Sequence, residues 1–269
     1  MSFPQQIPAI LLMGGCIKDL PPGETETKGK GYIDIGGRSM SALTLEALRK
    51  SRRVGRITLV TPQHPQKLED EWKNADASVP AGLHLSDSLF NGLDASRHEA
   101  DPILIVAGDL PFLTPEAVDD FIERCSRRAD CSVWYGFLSQ KNSRAKYPTL
   151  RHTWGKVSGQ KYCGTGLNAM RSDVVDIVRN QVSLLTTLRK NVWGIAKALG
   201  FSTIFRLLCG TLTINQAEEA LSRCLKAKTC GIESPFAEVA FNVDHYGDLV
   251  MARQMIEEQS SKQHRSDSY

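Results

Sequence analysis

An aspartate placed directly after a run of aliphatic residues is the first group in this sequence able to do chemistry. Asp109 follows the segment Asp-Pro-Ile-Leu-Ile-Val-Ala-Gly at 101–108. In open α/β sheets, ligands gather beyond the carboxyl ends of the strands. A carboxylate there suits Mg²⁺, a hard cation that takes oxygen ligands and bridges to phosphates. Taken singly, Asp109 reads as a turn residue, because aspartate before a proline-bearing turn is common. Asp244, in Phe-Asn-Val-Asp-His at 241–245, has the same strand-end placement, and two such carboxylates could share one metal. The complementary charge lies near the N-terminus. Seven of the 21 glycines fall between Gly14 and Gly37, interleaved with Lys18, Lys28 and Lys30. Glycines let backbone N–H groups approach an anion, and lysines add charge. A plain surface loop accounts for the same residues equally well. The spacing is neither G-x-G-x-x-G nor G-x-x-x-x-G-K-[ST], which excludes the dinucleotide and P-loop fingerprints.

Alternating strands and helices must position these groups. The apolar run 7–13 ends at Gly14-Gly15, as a buried strand entering a loop does. Residues 40–52 place Leu43, Leu45, Ala47 and Leu48 mostly on one helical face. A strand at 56–61 stops at Pro62, and a helix is expected over 66–74. A short strand at 82–86 and a helix at 88–97 precede the strand 101–107. Thr114-Pro115 opens the next helix with an N-cap threonine and proline at its first position. Residues 131–138 form the following strand. This order, with strands dense in Val, Ile and Leu, predicts an α/β fold: a three-layer αβα sandwich around a mostly parallel sheet. Residues 139–168 are polar, basic and turn-rich, and read as a long functional loop or lid. Helices are expected from 170 to 225, a last strand at 236–243, and a last helix at 246–258. No linker separates these parts, so 1–258 reads as a single domain and 259–269 as a disordered tail.

Composition narrows the classes. Hydrophobic residues at 41% and charged residues at 23% exclude a collagenous or broadly disordered chain. The formal net charge of +3 demands neither nucleic acid nor a membrane surface as partner. The seven cysteines are odd in number and lack a C-x-x-C pair, which favours free thiols over a disulfide scaffold or zinc ribbon. The run 7–13 is short for a signal peptide, and 192–214 is broken by Lys197 and Arg206 and reads as soluble core. A cytoplasmic location is the expectation.

In combination, Gly14-Gly15, the segment Lys-Gly-Tyr-Ile-Asp-Ile-Gly-Gly-Arg-Ser-Met at 30–40, Gly-Asp-Leu-Pro-Phe-Leu-Thr at 108–114 and Asn-Val-Asp-His-Tyr-Gly-Asp-Leu at 242–249 resemble the MobA-like nucleotidyltransferases. These belong to the glycosyltransferase-A-like NTP transferase superfamily. The likeness spans roughly residues 7–256 and is greatest to bacterial members with a Gly-Gly-Arg-x-Met turn. It implies transfer of a nucleoside monophosphate from an NTP to a small phosphorylated acceptor, with Mg²⁺ as cofactor and pyrophosphate released. By the same resemblance, Met13, Gly14 and Gly15 start the nucleotide-wrapping loop and Lys30 neutralises phosphates. Asp109 and Asp244 hold the metal, and Asn168, in Gly-Thr-Gly-Leu-Asn, faces the acceptor. The family pattern Gly-Gly-x-Ser-x-Arg-Met-Gly is not met. Cys16-Ile17-Lys18-Asp19-Leu20 supplies neither Ser nor Arg, and Lys18 stands one position away as a point charge without arginine's fork.

Two other readings compete. A nucleotide-binding protein without transfer chemistry fits the altered loop. A nucleotide-sugar glycosyltransferase shares the fold, but its usual Asp-x-Asp is absent from Gly108-Asp109-Leu110-Pro111. Lys141, Arg144, Lys146, Arg151 and His152 could cover an anionic acceptor or stand in solvent. Arg189-Lys190 reads as a solvated helix end. Cys16 and Cys163 lack a paired base for a nucleophile's role, and Trp134 and Tyr135 read as packing residues.

Overall fold

The computed structural model describes residues 3–21, 29–62, 70–188 and 199–266. Continuous apolar runs become strands buried on both faces. The first, β1 (Ile7–Leu12), pairs in parallel with β2 (Val54–Thr61) on one side and β4 (Ile103–Ala107) on the other. Next to β2 lies β3 (Ala77–Pro80). Beyond β4 the long β7 (Gln160–Met170) runs antiparallel to both β4 and β5 (Val133–Ser139). β8 (Thr229–Glu233) pairs in parallel with β5, and the short β6 (Gly155–Val157) forms a hairpin with β7. The resulting order is β3-β2-β1-β4-β7-β5-β8.

Alternation within β4 shows how the layers arise. Leu104 and Val106 join a core with α1 (Met40–Lys50) and α3 (Pro115–Arg127). Ile103 and Ile105 point the other way, into a core with α2 (Leu85–Ser96) and α5 (Val175–Leu188). Successive strand side chains face opposite sides, so a sheet covered on both faces needs an unbroken aliphatic run. The expected αβα sandwich is observed. The Thr114 hydroxyl accepts a hydrogen bond from the Ala117 N–H at 3.3 Å, capping α3 as its sequence predicts.

A third core lies beyond the sheet's carboxyl end. Leu138, Tyr147, Leu150 and Phe241 pack there against Leu249 and Ala252 of α8 (Tyr246–Ser266). Four expectations are corrected by the structure. Residues 139–168 are not a lid but α4 (Gln140–Lys146) and the β6–β7 hairpin. The last strand is β8, and 237–240 coil into a 3-10 turn. The segment 236–243 is the more apolar of the two, and only pairing with β5 makes 229–233 the strand. The short strand and helix expected at 82–86 and 88–97 lie a few residues earlier, as β3 and α2, because His84 rather than a later residue opens the helix. The final helix continues to Ser266, through part of the expected tail.

Two helices complete the described chain: α6 (Phe201–Leu208) and α7 (Ile214–Leu225). The segment expected as soluble core is instead partly exposed, because no described element covers the face of α6 that carries Phe205 and Leu208. Residues 192–198 of that segment lie outside the described residues, as do Lys28, Arg189-Lys190 and residues 66–69 of the helix expected over 66–74. Only a 3-10 turn at Asp70–Trp72 is seen of the latter. Cys131 and Cys230, 99 residues apart, form a disulfide with their Cα atoms 6.1 Å apart. The free-thiol expectation fails there because strand pairing brings together positions that spacing could not relate. Among the described residues no helix is long and apolar enough to cross a membrane.

Candidate active site

The site is built where β1 and β4 end side by side. The Gly108 N–H donates to the Leu12 carbonyl at 2.8 Å, extending the pairing one step beyond both strands. A Cβ at Gly108 would stand 2.7 Å from that carbonyl oxygen, so only glycine permits the approach. Asp109 therefore emerges beside the loop at 13–15, and it is 3% exposed.

Lys30 reaches the same point from a 3-10 turn, Lys30–Tyr32. Its N–H donates to the Gly15 carbonyl at 3.1 Å, and Gly15 holds φ 98°, a conformation that favours glycine. A Cβ at Gly31 would lie 2.9 Å from the Met13 carbonyl oxygen, so the turn seats tightly on the end of β1. The third group, Asp244, comes from the loop between the 3-10 turn and α8. Asp248 accepts the N–H groups of Asp244 and His245 at 3.2 and 2.9 Å, which fixes the loop at the helix start.

These three side chains meet. The Lys30 ammonium pairs with Asp109 and, at 2.8 Å, with Asp244 Oδ1. Asn242 Nδ2 donates to the other Asp109 oxygen at 2.9 Å. Burial alone would lower the Lys30 pKa, but the charges and hydrogen bonds of Asp109 and Asp244 outweigh it and raise it above 10.5. Burial would likewise raise the Asp244 pKa, whereas the Lys30 hydrogen bond and charge hold it below 3.8. The lysine is thus a permanent cation between anionic partners.

Around the triad opens a cavity of about 900 Å³. Gly14, Gly15 and Cys16 line one side, Thr165, Gly166 and Asn168 another, and the loop 81–85 a third. Asn168 stands on β7, and its Oδ1 accepts from the Gly136 N–H at 3.4 Å. Met13 sends its side chain into the core, 1% exposed, so only its backbone shapes the loop. Lys18 faces elsewhere. Its N–H donates to the Asp244 carbonyl at 2.9 Å, its own carbonyl accepts from Tyr246, and it lines a second, polar cavity of about 370 Å³. Arg151 and His152 line that cavity too, whereas Lys146 pairs with Glu238 and Lys141 and Arg144 are exposed.

Trp134 packs in the core as expected, but Tyr135, next along β5, is 45% exposed. Cys16 is exposed and Cys163 buried, and burial pushes the Cys163 thiol up to about 11. Sequence reasoning passed over Asn242, although it sits two positions before Asp244 in the segment that carried the resemblance. Leu83, His84 and Leu85 carried no signal, since their part in the cavity depends on how β3 hands over to α2.

Residues 23–155 match the family model of the MobA-like NTP transferase domain. The chain carries a MobA-like NTP transferase domain. That match holds Lys30 and Asp109, while Gly14-Gly15, Asn168 and Asp244 lie outside it. A phosphoenolpyruvate guanylyltransferase of Sphaerobacter thermophilus is 36% identical over 86 residues, covering 31% of this chain and 41% of that protein. A 2-C-methyl-D-erythritol 4-phosphate cytidylyltransferase of Clostridium botulinum is 26% identical over 123 residues, covering 44% and 53%. The chain thus spans about half the length of these relatives. The structure of a hypothetical transferase from Thermus thermophilus shares this chain's fold, with a TM-score of 0.77 at 22% identity over 91% of this chain and 99% of that one.

Proposed function

We propose that this protein is a nucleotidyltransferase that moves a nucleoside monophosphate from an NTP to a small phosphorylated acceptor and releases pyrophosphate. One observation carries the reading: a lysine cation gripped by the strand-end Asp109 and the loop carboxylate Asp244 on the wall of a glycine-lined cavity. The relatives named above, a guanylyltransferase and a cytidylyltransferase, support it.

The residues fit Mg²⁺. Asp109 and Asp244 contact one ammonium, so one cation bridges both. Among the described residues no group of three or more His, Cys, Asp or Glu converges. That donor set suits Mg²⁺, which binds through one or two carboxylates and completes its shell with phosphates and water. Bound there, the metal would supply positive charge to the oxygens around the α-phosphorus. Lys30 contributes a fixed positive charge toward the β- and γ-phosphates, and the glycine loop lets backbone approach them. Asn242 holds the Asp109 carboxylate in orientation.

In the transfer, an acceptor oxygen forms a bond to the α-phosphorus. The bond from that phosphorus to the α–β bridging oxygen breaks, and pyrophosphate leaves with the electron pair. A phosphate acceptor is already ionised and needs no general base, which agrees with a site offering charges rather than a catalytic dyad.

Nucleotide binding without transfer is the second reading. It is favoured by Lys18, which lines the smaller cavity rather than the glycine-lined one. A thermal-shift series of NTPs with Mg²⁺, followed by pyrophosphate release with phosphorylated acceptors, tests both. No stabilisation by any NTP would sink the transferase reading. Stabilisation with no pyrophosphate release would favour the second.

A further inference from the structure

The polar cavity beside the triad has features that the nucleotide site leaves unused. It shares two lining residues with the large cavity, Asn242 and Asp244, so the two spaces adjoin at the carboxylate that faces both. Two cations line it from different parts of the chain: Lys18 from the loop after β1 and Arg151 from the segment before β6. Among the described residues neither has a carboxylate in ion-pair contact, whereas Lys30 and Lys146 are both paired.

The placement of Lys18 is built into the backbone. The Lys18 N–H donates to Asp244 at 2.9 Å, the Tyr246 N–H donates to Lys18 at 3.1 Å, and the pair Lys18–His245 forms a parallel bridge. Asp19 adopts φ 63° and holds His245 Nδ1 at 3.0 Å. These contacts staple the loop to the segment of Asp244 and direct Lys18 away from the glycine-lined cavity. The carboxylates on the cavity's wall are engaged elsewhere: Asp244 with Lys30, and Asp248 with two backbone N–H groups. His152 lines the cavity as well. Its Nε2 is buried and has no hydrogen-bond partner, and a native protein rarely leaves such an atom unpaired.

We infer that this cavity receives the oxyanion of the acceptor, with Lys18 and Arg151 as its charge partners and His152 Nε2 as a directional contact. The inference rests on the nucleotidyltransferase reading and deepens it. An oxyanion held there stands across Asp244 from the nucleotide phosphates. Its oxygen is the atom that bonds to the α-phosphorus as pyrophosphate leaves. A phosphate monoester and a carboxylate share this chemistry. With about 370 Å³ available, the group is a compact one.

Calorimetric titration of the full chain, loaded with Mg²⁺ and a non-hydrolysable NTP analogue, tests the assignment with inorganic phosphate and acetate as probes. Inorganic phosphate should bind the loaded wild type. Lys18→Ala and Arg151→Ala should each weaken it roughly tenfold or more, because each removes a charge-assisted contact. Affinity for the NTP analogue should stay within about twofold in both variants. Acetate binding with the same losses would support the cavity and identify a carboxylate acceptor. Equal phosphate affinity in wild type and variants, no binding of either probe, or phosphate binding only by displacing the nucleotide would overturn the inference. Failure of the wild type to bind any NTP is a separate result, which removes the transferase reading and this assignment with it.

Discussion

Replacing Asp109 by asparagine isolates one charge of the triad at nearly constant shape. The Asn242 Nδ2 bond, 2.9 Å in the wild type, survives, because the asparagine carbonyl can still accept it. The Lys30 contact does not survive, since an amide NH₂ facing an ammonium sets donor against donor. Lys30 retains Asp244 at 2.8 Å, and its side chain is 13% exposed, so the ammonium is not stranded. A lost hydrogen bond between charged groups is worth about 1.5–3 kcal/mol, and the surviving partner places this case near the lower end. For a chain of this size about 2–4 °C of melting temperature accompanies each kcal/mol. The variant should therefore melt only about 3–6 °C lower and remain folded. Turnover should suffer more, because a preorganised charge at the reacting phosphates is worth about 10²–10³ in rate. Circular dichroism melts and Mg²⁺-dependent pyrophosphate release, measured on the same preparation, separate the two effects. A folded Asp109→Asn protein that keeps turnover within about tenfold of wild type would refute the metal assignment of Asp109.

Three further outcomes follow from the same geometry. Gly108→Ala should lower stability by about 1–3 kcal/mol and weaken NTP stabilisation, because its Cβ would press on the Leu12 carbonyl; an unchanged denaturation midpoint would contradict this. Asp244 has a folded-state pKa below 3.8, so its contribution to stability is present above that value and lost as pH falls through the folded pKa. The stability gap between wild type and Asp244→Asn should thus close in acid, and urea midpoints that stay equally separated down to about pH 3 would reject the pairing. Iodoacetamide near neutral pH should label the exposed Cys16 and Cys209 in the native protein, while Cys163, pushed up to about 11 by burial, should react only after denaturation; mass spectrometry of native Cys163 labelling decides.

Much of the fold was legible because it depends on local pattern. The strand 101–107 reads as buried from its aliphatic run, and α3 reads from Thr114 and Pro115, since both signals lie within a few residues. Asp109 was legible for the same reason: a strand end is a local event, and the strand end is where an open sheet binds. The second half was harder. Residues 236–243 are more apolar than 229–233, yet only the latter finds a partner in β5. Residues 139–168 are polar enough to read as a loop or lid, but pairing with β4 and β5 makes β7 the sheet's antiparallel strand.

Local sequence accounts for the αβα order of elements, the strand-end Asp109 and the glycine-rich loop with its lysines. Each follows from residue type over a short window, where side-chain alternation and backbone freedom act directly. Tertiary structure alone decided which charges meet. Lys30 and Asp244 are 214 residues apart, and the path that joins them runs through the whole sheet. It also sent Lys18, a mere three residues beyond Gly15, into a different cavity, because backbone hydrogen bonds to the loop of Asp244 outweigh proximity along the chain.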